Sequence, residues 1–274
     1  MIPNILSIAG SDPSAGAGIQ ADLKAIAATG GYGLTAITAL TVQNTRGVQD
    51  VLPVKAGFVA DQIAALRADI RIDAVKLGML GTATVVRAVA RAITGLAPLV
   101  VDPVMIASSG RALLQPDAVS ALRDLILPHC EVLTPNLPEA AALLSTPEAT
   151  TRSQMMDQAR AILALGPRAV LLKGGHLPGG ISPDLLLSAD TATWLEAPRL
   201  TSRATHGTGC TLASALATRL AAGDDLVQAA TRAKGFTRAA IRGGAALSVG
   251  TTLNGGHGPG DALHALRPIA NDTL

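Results

Sequence analysis

Ile5-Leu6-Ser7-Ile8-Ala9-Gly10-Ser11-Asp12-Pro13-Ser14-Ala15-Gly16-Ala17-Gly18-Ile19-Gln20-Ala21-Asp22 opens the chain with an apolar run, a glycine-rich loop and the start of a helical pattern. Residues 5–9 have the length and character of a strand buried on both faces, and 19–28 continue as an Ala-rich helix. The same alternation recurs downstream. Strands are expected at 34–40, 74–77, 99–101, 132–133 and 169–172, and helices at 60–68, 84–93, 116–125, 139–144 and 153–165. Residues 184–187 and 192–196 read as later, antiparallel strands, 211–222 and 226–241 as closing helices, and 48–53 as a small edge flap. Strands separated by helices of this length imply βαβ units, hence an α/β fold with a mainly parallel sheet covered by helices on both faces. Glycine- and proline-rich pieces are short and read as loops, so the expectation is one domain over residues 1–274.

Composition narrows the function classes. Of the 274 residues 49% are hydrophobic but only 1% aromatic, so the core is built from Ala, Leu, Val and Ile. A base-stacking nucleic-acid surface needs aromatic platforms, and the net charge of +2 comes with no basic cluster, so no nucleic-acid partner is expected. Cys130 and Cys210 are too few for a disulfide framework, which points to a reducing, cytoplasmic setting. The first residues show no signal peptide. The uncharged stretch 25–45 contains Gly30-Gly31 and several threonines, and reads as helix end, turn and buried strand rather than a membrane span.

In a parallel α/β sheet ligands bind at the carboxyl ends of the strands. Polar residues of this chain gather there: Gly10-Ser11-Asp12, Gln43-Asn44, Gly78-Met79, Asp102-Pro103, Asn136 and Lys173-Gly174-Gly175-His176. Gly16-x-Gly18-x-x-Ala21 imitates a dinucleotide fingerprint, but the strand ends well before Gly16 and no acid follows at the distance a ribose requires. No Walker P-loop or protein-kinase signature is present.

Thr205-His206-Gly207-Thr208-Gly209-Cys210-Thr211 leads straight into an Ala-rich helix. Glycines let amide groups converge and the helix start adds positive potential, together forming an anion hole. In such surroundings Cys210 is expected to have a lowered pKa and to act as a general base toward a substrate hydroxyl. Asp102 and Glu139 are candidates to hold Mg²⁺, and Lys173 to reach a phosphate. The five histidines lack zinc-site spacing, and Cys130 reads as structural. A cysteine hydrolase built on Cys210 and His206 would need an imidazole on the sulfur and an orienting acid, which this spacing does not supply.

Taken together, these blocks resemble the bacterial hydroxymethylpyrimidine/phosphomethylpyrimidine kinases. The likeness rests on residues 7–22, Thr38-Ala39-Leu40-Thr41-Val42-Gln43-Asn44-Thr45, Lys76-Leu77-Gly78-Met79, Val101-Asp102-Pro103-Val104-Met105, Thr134-Pro135-Asn136-Leu137-Pro138-Glu139, Lys173-Gly174-Gly175-His176 and His206-Gly207-Thr208-Gly209-Cys210-Thr211. It implies a ribokinase-like fold without a large lid domain, ATP and Mg²⁺ as cofactors, a small pyrimidine substrate and a homodimer. It places Gln43 on the pyrimidine edge, with Gly10, Asp22 and Met79 lining the pocket. Gly207, Thr208 and Gly209 become the anion hole around a catalytic Cys210. Lys173, Asn136 and Glu139 fall on the ATP side, and Asp102 with Glu139 near the metal. The family's Ser-Gly lid is usually followed by an acid, whereas here 106–110 are followed by Arg111, a candidate phosphate contact. A pyridoxal or pyridoxine kinase and a non-catalytic pyrimidine-binding protein on the same scaffold are the alternatives.

Overall fold

A computed structural model describes residues 1–96, 98–106, 113–250 and 257–265. The first half runs β1 (Asn4–Ser11), α1 (Gly18–Ala28), β2 (Tyr32–Asn44), β3 (Gly47–Pro53), α2 (Ala56–Asp69), β4 (Ala74–Leu77), α3 (Ala83–Ala92), β5 (Leu99–Val101) and α4 (Pro116–Leu125). After a short 3₁₀ turn come β6 (Val132–Leu133), α5 (Leu137–Leu144), α6 (Arg152–Leu163), β7 (Ala169–Lys173), β8 (Asp184–Ser188), β9 (Ala192–Leu195), α7 (Thr208–Ala221) and α8 (Leu226–Gly244). Arg111 and the lid-like stretch around it lie outside the described residues.

The strands form one nine-stranded sheet in the order β3-β2-β1-β4-β5-β6-β7-β8-β9. The six from β2 to β7 are parallel, while β3 pairs antiparallel on one edge and β8 and β9 on the other. Alternate residues of each strand feed two cores. Leu6, Ile8, Val75, Leu77, Val101 and Leu172 pack with helices α2 to α6. Ile5, Ala74, Val100, Val132 and Leu171 pack with α1, α7 and α8. Because both faces are covered, the central strands read in the sequence as unbroken apolar runs. Among the described residues no helix is long and apolar enough to cross a membrane. The uncharged stretch 25–45 is the end of α1, a turn and β2.

Two of the boundaries that differ from expectation bear on the site. β2 runs on to Asn44, past the end of the apolar run, because Thr41 to Asn44 leave the covered sheet and pair with β3 as a two-stranded ribbon. α7 begins at Thr208 rather than at residue 211, because Gly207 takes a left-handed φ of 74° and serves as the N-cap.

One polar cluster interrupts the α1/α7 core. Ser7 of β1 and Lys76 of β4 are register partners, and each stands two residues beyond a core residue of that face. Asp22 from α1 and Ser214 from α7 meet them. The Asp22 carboxylate accepts from Lys76 Nζ at 2.8 Å on both oxygens, from Ser7 Oγ at 2.6 Å and from Ser214 Oγ at 2.8 Å. All four residues are fully buried. The resemblance had placed Asp22 on the pocket wall. The structure corrects this: Asp22 lies inside the core, enclosed by its partners. Lys76→Met would leave that carboxylate with its hydroxyl donors but no counter-charge. Urea unfolding should then show a loss of about 3–5 kcal/mol, the usual cost of breaking a buried pair. A loss below about 1 kcal/mol would mean that the pair is not load-sharing.

Candidate active site

The carboxyl ends of the parallel strands open into a cleft of about 790 Å³. It straddles β1 and β4, where successive crossovers leave to opposite sides and the loops part. Three groups of side chains line it, and the start of α7 stands between two of them.

The first group gathers around the β1–α1 loop. The Asp12 carboxylate accepts from Ser14 N at 2.9 Å, Ser14 Oγ at 2.8 Å, Gly16 N at 3.2 Å and Ala17 N at 2.8 Å, so it organises the loop as an internal cap. Its outer oxygen also lies 2.8 Å from His206 Nε2. Burial works to raise the Asp12 carboxyl, but the bonds from His206 and Ser14 outweigh it and hold the pKa below its ordinary value. An ionised carboxylate only accepts, so His206 Nε2 carries the hydrogen. The half-buried Gln43 amide at the end of β2 sits 3.3 Å from the same nitrogen and 3.2 Å from Thr41 Oγ1. Gly10 and Met79 complete this end, with the Met79 thioether 3.5 Å from where a Cβ on Gly10 would stand.

The second group lies beyond β5, β6 and β7. Lys173 Nζ donates to Asp102 Oδ1 at 2.9 Å and stands 3.8 Å from Glu139 Oε2. Glu139 and Asn136 form a reciprocal capping box at the start of α5, with both bonds at 2.8 Å. Burial pushes the Glu139 carboxyl up to about 7, Asp102 adds to the shift and Lys173 opposes it. For Lys173 burial pulls downward, and the two carboxylates override it to keep the ammonium above its usual range.

The third group is at the far wall. Lys234 donates to Asp184 at 2.7 Å and to the Ser182 carbonyl at 2.8 Å, while Asp184 accepts from Gly174 N at 3.0 Å. Arg199 donates to the carbonyls of Gly175, Leu177, Gly179 and Ile181, and so staples the loop after β7. Sequence reasoning missed these residues, as well as Asp12 and His206 as site residues. The one available signal for Lys76 was a lysine inside an otherwise apolar strand run.

The turn 206–210 joins the first two groups. His206 belongs to the Asp12–Gln43 cluster, and a Cβ on Gly209 would stand 2.9 Å from Asp102 Oδ2 and 3.3 Å from Lys173 Nζ. Gly207 has no room for a side chain, since a Cβ there would lie 1.8 Å from the Gly16 carbonyl oxygen. At the start of α7 Thr208 N donates to the Thr205 carbonyl at 3.4 Å and Thr211 N to that of Gly207 at 2.9 Å, while the amides of Gly209 and Cys210, in the first turn, have no intrahelical acceptor and are the donors the turn presents between the two clusters. The structure therefore brings together Gly10, Gln43, Met79, Asp102, Asn136, Glu139, Lys173, Gly207, Thr208, Gly209 and Cys210, and leaves out Asp22.

The family model described as phosphomethylpyrimidine kinase matches residues 12–261. The chain belongs to the phosphomethylpyrimidine kinase family. It is 46% identical over 263 residues to the hydroxymethylpyrimidine/phosphomethylpyrimidine kinase of Escherichia coli (strain K12), covering 95% of this chain and 97% of that one. The corresponding Rhizobium meliloti kinase is also 46% identical, over 260 residues, with 94% and 96% covered. Among solved structures, a Staphylococcus aureus pyridoxal kinase in complex with AMP-PCP and pyridoxal superposes with a TM-score of 0.86 at 33% identity, covering 98% of this chain and 96% of that one. A Clostridium difficile phosphomethylpyrimidine kinase gives 0.77 at 37% identity, covering 88% of this chain and all of that one. The fold is thus that of the ribokinase-like kinases, and its central sheet is mainly parallel as expected.

The expected lowering of the Cys210 pKa is overturned. Burial pushes the thiol up to about 12; Lys76 works against this, while Asp22 and Asp102 reinforce it. The electropositive turn was legible in the sequence, but the depth at which the sulfur sits was not. Cys130 is shifted upward as well, through burial. Native protein should resist iodoacetamide at both cysteines, while urea-unfolded protein labels at both. Rapid labelling of native Cys210, read by mass spectrometry, would contradict this environment.

Proposed function

We propose that this chain transfers the γ-phosphoryl group of ATP to the hydroxymethyl group of 4-amino-5-hydroxymethyl-2-methylpyrimidine, and then phosphorylates the monophosphate, as a step of thiamine biosynthesis. The observation that carries the reading is the placement of the turn 206–210. One end of it touches Gln43, suited to the edge of a flat heteroaromatic ring, and the other touches Asp102 and Lys173, suited to polyphosphate. Relatives at 46% identity bear the names of both reactions.

Phosphoryl transfer asks the protein chiefly for alignment and charge neutralisation. The free amides of the α7 turn face the position of the transferred group, where their dipoles oppose growing negative charge. Lys173 adds a fixed positive charge on the phosphate side. Asp102 and Glu139 are hard oxygen donors, and with Lys173 beside them they are too few for a protein-only cage. They fit Mg²⁺ that keeps waters and phosphate oxygens in its shell, where it would neutralise phosphate charge. Cys210 stands in the first turn of α7. Its resting state is a neutral thiol, so it serves as base only through its minor thiolate form, which Lys76 behind it stabilises and which takes up the alcohol proton, becoming the thiol, as the new P–O bond forms.

A pyridoxal kinase is the second reading, favoured by the Staphylococcus aureus neighbour. An amide that both donates and accepts weighs toward the aminopyrimidine. A non-catalytic binding protein would have no use for the assembled Lys173, Asp102 and Glu139. The two free cysteines agree with a reducing cytoplasm.

A coupled kinase assay with the pyrimidine alcohol, its monophosphate and pyridoxine tests the proposal. Cys210→Ala should lower kcat for the alcohol by about 10²-fold, the scale of one acid–base group, with little change in the KM for ATP. Absence of turnover with both pyrimidines in the wild type would remove the reading.

A homodimer belongs to the same proposal. Leu40 and Leu52 are paired across the β2–β3 ribbon, with Val42 two residues on, and the three are 47%, 66% and 56% exposed. Such a cluster on a sheet edge suits a second copy. Sedimentation should show a dimer in the wild type and a shift toward monomer in Leu52→Lys. A monomeric wild type would reject it.

A further inference from the structure

Gln43 offers a ring edge one acceptor and one donor, but an amide that can flip offers them in either order. The surroundings of Gln43 allow a single order. Thr41 has one hydroxyl hydrogen, and it goes to the Ser11 carbonyl at 2.8 Å. The amide oxygen Oε1 is placed 3.2 Å from Thr41 Oγ1, but with that hydrogen spent the hydroxyl oxygen can only accept, so the two acceptors face each other unless the amide is turned over. On the other side His206 Nε2 must carry a hydrogen, because its 2.8 Å partner is the Asp12 carboxylate. The amide atom placed 3.3 Å from that nitrogen is Gln43 Nε2, a donor set against a donor, so the hydrogen count requires the amide to be turned over and its oxygen to stand there. Both contacts demand the same orientation: the amide nitrogen donates to Thr41 and the oxygen faces His206. One N–H and one lone pair of Gln43 then remain for the cleft.

We propose that His206, anchored by Asp12, is a specificity-determining positioning residue that fixes the donor–acceptor order of the Gln43 amide. The inference rests on the reading of Gln43 as the residue that meets the substrate ring. A 4-aminopyrimidine presents a ring nitrogen that accepts beside an amino group that donates, and a fixed amide meets both at once. The ring nitrogen of pyridoxine is flanked by a methyl-bearing carbon and a C–H, so no exocyclic donor stands beside it and it offers no adjacent acceptor–donor pair to a fixed amide. Locking the amide therefore favours the aminopyrimidine, and freeing it relaxes the choice.

The fold supplies a second handle on the same contact. A Cβ on Gly16 would stand 2.3 Å from His206 Cδ2 and 3.1 Å from its Nε2. Gly16 does not have a left-handed φ, so alanine is tolerated by the backbone and acts by displacing the imidazole.

The test measures kcat/KM for the pyrimidine alcohol and for pyridoxine in the wild type, His206→Leu, His206→Gln and Gly16→Ala, with melting temperature and the KM for ATP recorded for each. A glutamine amide nitrogen can replace the Nε2 donor. The pyrimidine-to-pyridoxine ratio should fall by about tenfold or more in His206→Leu and in Gly16→Ala, and recover in His206→Gln. A ratio unmoved in folded His206→Leu, or moved alike by leucine and glutamine, overturns the inference. If His206→Leu does not fold, the ratio in Gly16→Ala decides in the same way. A wild type that prefers pyridoxine rejects the substrate reading, and this inference with it, before any variant is assayed.

Discussion

The Asp22 carboxylate is the point on which the rest of the molecule is built. It joins two neighbouring strands to two helices, through Ser7, Lys76 and Ser214, in a layer that is otherwise apolar. Four hydrogen bonds and a matched charge satisfy it, which is the condition under which a buried ion is tolerated. Burial would drive the Lys76 ammonium toward neutrality, but Asp22, with Cys210 and Asp102 beyond, holds it charged. A permanent cation thus lies behind the start of α7, and it orients the helix that carries the anion-binding turn. Position and electrostatics come from one contact.

The two ends of the cleft use charge differently. At the Gln43 end, Asp12 is consumed by backbone amides and one imidazole, so its charge serves to hold shape. At the Lys173 end, two acids and one base share a small volume, and burial pushes the Glu139 carboxyl well above the usual carboxylate range. That end is prepared to accept further charge, of either sign, from a nucleotide and its counter-ion. The glycines at 207 and 209 let the turn pass closely between both ends, at distances no side chain would permit.

Much of this was readable in the residues. Strands buried on both faces announce themselves as pure apolar runs, so the order of strands and helices followed from 5–9, 74–77, 99–101 and 169–172. The strand-end polar residues collected into one cleft for the same topological reason. What escaped reading depends on depth and direction. Asp22 sits on a helix whose facing is settled only when Lys76 arrives from β4. Cys210 looked activated because its turn is electropositive, yet burial dominates its proton affinity. His206 and Gln43 are more than a hundred and fifty positions apart, and no local pattern links them.

The order of elements along the chain has a consequence for biosynthesis. Every strand among the described residues is complete by Leu195, whereas α7 and α8, which close one side of the sheet, span Thr208 to Gly244. While a ribosome is still making that segment, the side carrying Lys76 has only α1 over it. An early stop would leave no partly competent enzyme, only a sheet with one apolar face largely uncovered and prone to self-association. The segment that confers reactivity is also the one that renders the nascent product safe.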